Sequence, residues 1–173
     1  MIELVKWTTD LRQDLIDLCN RADRTFLSER MPDPYTEEAA DWWLGMAAEH
    51  DGKDGLFRTI LADGELAGSI SIEQKADVYR KDAEIGYLLL TEYWGRGIMT
   101  EAVSRICETA FSELDILRIT GLVYEPNTAS RRVLEKNGFT QEGCLKNAVY
   151  KNGNVYDLCV YGKQKAGDHP QKP

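Results

Sequence analysis

Between residues 84 and 124 the spacing of apolar residues changes twice, and this limits the fold more than any other feature of the chain. Glu84 to Leu90 is a β-rich run, and Arg118 to Tyr124 is another. Between them, from Ile98 to Leu114, the apolar residues Val103, Ile106, Cys107, Ala110, Phe111 and Leu114 recur at steps of three and four. A strand, a helix whose stripe must be buried and a second strand predict a crossover unit, with the helix lying against a sheet.

The flanking segments extend that sheet. Leu56–Ala62 and Glu65–Glu73 surround Asp63-Gly64, a dipeptide suited to a two-residue type I′ turn, and predict a hairpin. Residues 2 to 7 are extended in character. Thr9 and Asp10 offer capping side chains to a first helix with Leu11, Leu15, Leu18, Cys19 and Ala22 at helical spacing. After the two-proline loop FLSERMPDPY, Thr36 can cap a second helix, with Glu37 and Glu38 in its first turn and Ala39, Trp43, Met46 and Ala47 on its stripe. A last helix from about Asn127 to Lys136 stops at Asn137-Gly138, a left-handed C-cap signal. Two closing strands flank Lys151 to Asn154, which reads as a hairpin turn and nothing more. The order β-α-α-β-β-β-α-β-α-β-β implies an α/β fold with a single mixed, mostly antiparallel sheet flanked by helices. The 173 residues suit one domain, placed at residues 1–162. Residues 163–173, polar and with two prolines, are expected to be a frayed or non-native tail.

With 21 Lys and Arg against 29 Asp and Glu, the net charge of −8 repels polyanions, so a nucleic-acid partner is not expected, and the acidic surface either favours a cationic partner or serves solubility alone. Cys19, Cys107, Cys144 and Cys159 form no CxxC pair, and His50 and His169 lie far from them in sequence, so no metal site is expected. The N-terminus MIELVKWTTD mixes charge into its apolar stretch, and no run approaches the roughly 18 apolar residues of a membrane span. A cytoplasmic protein with free thiols and no membrane attachment is the expectation.

Tyr93-Trp94-Gly95-Arg96-Gly97-Ile98-Met99-Thr100-Glu101 stands between a strand and a helix. It is neither GxxxxGK[ST] nor GxGxxG. As residues alone it fits either an ordinary strand-to-helix turn or an anion site, since glycines admit a ligand close to the backbone and free N–H groups at a helix start attract negative charge. After the next strand comes Glu125-Pro126-Asn127-Thr128-Ala129-Ser130-Arg131-Arg132-Val133-Leu134-Glu135-Lys136-Asn137-Gly138-Phe139. Taken together, EIGYLLLTEYWGRGIMTEAV and EPNTASRRVLEKNGF resemble the GNAT superfamily of acetyl-CoA-dependent N-acetyltransferases, most of all its ribosomal-protein-alanine N-acetyltransferase branch. The resemblance covers roughly residues 1–162.

That resemblance implies a GNAT-like acyltransferase fold, acetyl-CoA as cosubstrate without a metal, and direct transfer to a primary amine in a ternary complex. An N-terminal α-amine of a protein such as a ribosomal protein is the first acceptor it implies. Polyamines or aminoglycosides are alternatives, as is a CoA-binding module without catalysis, and the protein is expected to be a monomer or homodimer. The family's phosphate pattern falls on Trp94, Gly97 and Met99, of which only Gly97 matches strictly. Backbone N–H groups from Gly95, Arg96, Gly97, Ile98, Met99 and Thr100 would hold the pyrophosphate. Amides around Leu88, Leu89 and Leu90 would serve the pantetheine and the thioester carbonyl, with Gly86 able to accept a bulge that splays the strand. Many members carry a tyrosine proton donor where this chain has Leu134, so Ser130, three residues after Asn127, is the residue expected at the sulfur. Asn127 is a natural helix cap, and the resemblance adds contact with the pantetheine arm. Strand alternation puts Glu84 and Gly86 on one face and Ala83, Ile85 and Tyr87 on the other. The resemblance directs Glu84 toward the acceptor as base or cation attractor, although as a residue it could simply be a solvated strand carboxylate. Arg30, Pro32 to Pro34, Tyr35, Trp42 and Trp43 lie where this branch shapes its acceptor pocket, and Trp43, on its helix stripe, also reads as core.

Overall fold

Seven strands form a single sheet in a computed structural model that describes residues 1–167. They are β1 (Ile2–Lys6), β2 (Gly55–Ala62), β3 (Glu65–Gln74), β4 (Asp82–Leu89), β5 (Arg118–Tyr124), β6 (Thr140–Lys151) and β7 (Asn154–Gln164), in the spatial order β1-β2-β3-β4-β5-β7-β6. Every neighbouring pair is antiparallel except β4 and β5, which the crossover helix makes parallel. The helices are α1 (Arg12–Arg21), α2 (Glu37–His50), α3 (Ile98–Glu113) and α4 (Thr128–Lys136). This is the mixed, mostly antiparallel sheet with flanking helices that the sequence predicts. Asp63 and Gly64 both have positive φ, 52° and 85°, as a type I′ hairpin between β2 and β3 requires.

Alternate strand positions feed two apolar layers. On one face Ile60, Ile70, Ile72 and Ile85 pack with Val103, Ile106 and Ala110 of α3 and Leu134 of α4. On the other, Phe57 and Leu90 pack with Trp7, with Leu15 and Leu18 of α1 and with Ala40 and Leu44 of α2.

Some expectations shift. Thr9–Leu11 is a 3-10 turn, and α1 begins after Leu11 with no side-chain cap, so Thr9 and Asp10 do not cap it. The Leu11 N–H instead donates to Thr8 O at 3.0 Å, and the backbone closes the turn by itself. Thr36 caps α2 as predicted, its Oγ1 accepting from Ala39 N–H at 3.2 Å. The buried line of α2 is Ala40, Leu44 and Ala47, because Trp43 leans sideways to make edge contacts with Trp7 and Phe57. Gly138, at φ 78°, ends α4 as expected. β7 runs through Gln164, so a domain limit at 162 falls inside a strand. Lys163 and Gln164 are held by ladder bonds to β5, which need no apolar side chain. Residues 168–173 of the expected tail lie outside the described residues.

Candidate active site

The site is built around a gap in the sheet. The β4–β5 ladder covers only Asp82–Ile85 against Arg118–Gly121. Beyond it β4 stays with β3 as far as Leu89, while β5 stays with β7 as far as Tyr124. The β3–β4 register passes Gly86 without a break, so the bulge expected there is absent and the parting comes from the diverging partners of the two strands. Gly121 stands where the ladder ends. A Cβ there would come within 2.7 Å of Leu134 Cδ1, so the missing side chain lets α4 seat directly on β5. Leu134 is fully buried and serves the core. At the closed end of the gap Thr120 Oγ1 donates to Asp82 at 2.8 Å, and Asp82 also pairs with Lys75 and Arg118.

The Leu90 N–H donates to Ala67 O at 2.8 Å, which removes it from the amides expected to be free. Alternation along an antiparallel strand then turns the Leu88 N–H toward β3 as well, and leaves the N–H groups of Leu89 and Tyr87 facing the gap. The usable amides are therefore those of Leu89 and Tyr87, a shift that only the register reveals.

From the end of β4 the chain makes a 3-10 turn, Thr91–Tyr93, and enters α3 through Gly95 and Gly97, both in the left-handed region at φ 71° and 76°. Trp94 fixes this turn by donating its indole N–H to Leu89 O at 2.8 Å. Arg96 rests over the Tyr93 ring, 5.4 Å from its centroid. Gly97 is the N-cap of α3 and supplies no side-chain cap, and Glu101 N–H to Gly97 O, 3.1 Å, is the first helical bond. The N–H groups of Ile98, Met99 and Thr100 are left without helical acceptors, while the buried side chains of Ile98 and Met99 hold the turn in place. Free N–H groups beside two glycines have the chemistry to receive an anion such as a diphosphate. Asn137 ties the neighbouring helix to this turn, donating to Thr100 O at 3.1 Å, a role hidden in the sequence behind its position at the end of α4.

Asn127 caps α4, with Oδ1 accepting from Ser130 N–H at 3.2 Å. Ser130 Oγ lies 2.7 Å from the hydroxyl of Tyr87, which reaches across from β4. Glu84 and Gly86 share a face with Leu88 and Leu90, which pack toward α1 and α2, whereas Ile85 and Tyr87 face α3 and α4. Glu84 and Ser130 thus approach the gap from opposite sides of the sheet. Directly across the ladder from Glu84 is Glu73, a residue the sequence reading passed over. Glu73 keeps an exposed surface, yet crowding by neighbouring atoms, and then the charge of Glu84, hold its carboxyl above the usual range, with Ser71, Arg30 and His50 opposing the rise.

Of the expected acceptor residues, Arg30 and Pro32 are exposed, and Arg30 is near enough to act on Glu73. Tyr35 is 6% exposed, its backbone held at both polar groups by Asn20, and burial pushes its phenol upward in pKa. It is a core residue. Trp43 belongs to the aromatic packing beneath α2, and Trp42 is exposed. Two unforeseen cations shape the loop between α1 and α2. Arg24 donates to the carbonyls of Cys19, Met31 and Pro32, and Lys151, buried at 7% exposure, donates Nζ to the carbonyls of Arg24 and Leu27. The reading of 151–154 as a turn alone is thereby corrected: Lys151 fastens the loop. Among the described residues no group of His, Cys, Asp and Glu could hold a metal ion, and no helix is long and apolar enough to cross a membrane.

A sequence profile of the acetyltransferase (GNAT) domain matches residues 2–140. The uncharacterized N-acetyltransferase YoaA of Bacillus subtilis (strain 168) is 41% identical over 97 residues, 56% of this chain and 54% of YoaA, so the chain spans about half the length of that relative. Spermidine N(1)-acetyltransferase of Escherichia coli (strain K12) is 28% identical over 123 residues, 69% of this chain and 65% of that protein. Among solved structures, RimL, the ribosomal L7/L12 alpha-N-protein acetyltransferase in complex with coenzyme A, superposes with a TM-score of 0.83 at 27% identity and covers 96% of both chains.

Proposed function

Since the chain belongs to the family of GNAT acetyltransferases, we propose that it transfers the acetyl group of acetyl-CoA to the N-terminal α-amine of a protein, a ribosomal protein being the acceptor class that fits best. The observation that carries the transfer chemistry is the gap between β4 and β5, with the uncapped start of α3 and Ser130 on one side and Glu84 on the other. The choice of acceptor is supported by the likeness to RimL over 96% of both chains. Such acceptors place the reaction in the cytoplasm.

The thioester supplies an activated acyl group, and the chain's own residues do the rest. N–H groups at the start of α3 bind the diphosphate. The amides of Leu89 and Tyr87 polarise the carbonyl as charge develops on its oxygen. Glu84 accepts, directly or through water, the proton that the incoming ammonium must lose before its lone pair can attack. As the N–C bond forms and the C–S bond breaks, the electron pair of that bond stays on sulfur, Ser130 donates a hydrogen bond to it, and the second proton lost from nitrogen ends on the departing thiolate. Asn127 spends Oδ1 on capping α4, which leaves its amide NH₂ for the pantetheine arm.

A second reading, a polyamine acceptor, draws on the Glu73–Glu84 pair, whose two carboxylates suit a substrate with more than one positive charge. A thiol-release assay with acetyl-CoA against ribosomal-protein N-terminal peptides, polyamines and aminoglycosides decides among these. The expected result is the highest kcat/KM with a peptide. Preference for spermidine supports the second reading. Stabilisation by CoA without thiol release on any amine makes the chain a binding module.

A further inference from the structure

Ser130 is not held as an ordinary helix serine is. A serine inside a helix commonly turns its hydroxyl hydrogen back to the carbonyl one turn earlier. Here the Ser130 N–H is taken by Asn127 Oδ1 at 3.2 Å, and its Oγ is met at 2.7 Å by Tyr87 Oη, which lies 3.4 Å from the Ser130 carbonyl. Tyr87 comes from β4, two residues past the end of the β4–β5 ladder, and its hydroxyl crosses to α4 at the mouth of the gap. We infer that Tyr87 is a positioning residue for acetyl transfer: it donates its phenolic hydrogen to Ser130 Oγ and so turns the serine's own hydrogen toward the sulfur.

Donation has to run in this direction for the serine to act. Ser130 has one hydrogen, and if that hydrogen went to Tyr87 none would remain for the leaving thiolate. The phenol is well suited to stay the donor, because burial pushes its pKa up to about 12, against the opposing effect of the Ser130 bond. The other titratable group set against it among the described residues is Cys107 of α3, whose thiol burial also pushes up to about 12. At neutral pH both are uncharged, so the tyrosine keeps the hydroxyl hydrogen that it can give to Ser130.

The inference rests on the reading of Ser130 as the residue that meets the sulfur, and the test separates the two. Rates of acetyl transfer are measured in a single turnover for the parent, Ser130→Ala, Tyr87→Phe and the double variant, with CoA affinity by calorimetry. Ser130→Ala is expected to slow transfer by roughly one to three orders of magnitude and Tyr87→Phe by about tenfold. CoA affinity should be unchanged in both, and the double variant no slower than Ser130→Ala. Parent-like transfer by Ser130→Ala removes the reading and the inference with it. A slow Ser130→Ala beside a parent-like Tyr87→Phe overturns the inference alone, as does a double variant in which the two losses multiply.

If Tyr87→Phe fails to fold, a fluorinated tyrosine at position 87 keeps the ring and lowers the phenol's pKa. Transfer should then fall off on the alkaline side at lower pH than in the parent, since a phenolate accepts the serine's hydrogen instead of donating its own. An unchanged alkaline limb overturns the inference.

Discussion

Burial raises the cost of ionising Glu73, and the charge of Glu84, directly opposite on the neighbouring strand, adds to it. The consequence for stability has a definite sign. The Glu73 carboxyl binds its proton more tightly in the folded chain than unfolded, so stability falls as pH rises from the unfolded pKa, about 4.3, through the raised folded value. Glu73→Gln removes that penalty. It should raise Tm at pH 7 by on the order of 1 to 3 °C and leave Tm unchanged near pH 4. Thermal unfolding at the two pH values checks this, and an equal shift at both would refute it. For Glu84→Gln, kcat/KM for the amine should drop most near neutral pH and recover in part at higher pH, where free amine needs no base. A pH profile parallel to the parent's would leave Glu84 no part in deprotonation. The face of Glu84 was legible in the sequence because alternation along a strand is local. Its partner Glu73 was not, since an opposed pair is a matter of register between strands. The same distinction explains why the face of Tyr87 was foreseen and its bond to Ser130 was missed.

At the level of elements, the start of α3 depends on Gly97 for its backbone conformation. A Cβ there would meet nothing within 4 Å, so space is not the constraint, and φ of 76° is. Any other residue pays roughly 1 to 2 kcal/mol in that region, which a chain of this size survives. Gly97→Ala and Gly97→Asp should therefore both fold. Aspartate at an N-cap directs its carboxylate to the N–H groups that the diphosphate needs, so Gly97→Asp should weaken CoA binding by about a hundredfold and Gly97→Ala by far less. Calorimetry on the two variants tests the assignment, and equal weakening would reduce the effect to strain. Most elements were readable because each carries its own period: the stripe of α3, the Asp63-Gly64 hairpin, the Asn137-Gly138 stop. What was not readable belongs to pairs of elements. The length of the β4–β5 ladder, the capture of the Leu90 N–H by Ala67, and the reach of Lys151 to a loop more than a hundred residues away leave no local pattern.

Across the whole molecule the net charge is −8, while an anion at the start of α3, as proposed, would be held by local N–H groups against that field. An amine that is cationic beyond its reacting group should be drawn in by the acidic surface. Screening over about 8 Å at physiological salt then predicts that added salt raises KM for the amine, with a smaller unfavourable change for acetyl-CoA. Steady-state kinetics over a series of ionic strengths measures both, and an amine KM indifferent to salt would mean that the charge does not steer the acceptor. The sheet has a further consequence for how the molecule moves. Its strands divide as β1-β2-β3-β4 and β5-β7-β6, two leaves of a book bound along a spine only four residues long. Such a spine resists sliding but lets the free edges open and close, and a slender chain of amides laid between the leaves would supply the rungs that the sheet itself omits. Occupancy should therefore quiet the breathing of the two leaves together, and amide exchange at Tyr87 and Leu89 should slow before that of any strand far from the fold of the page.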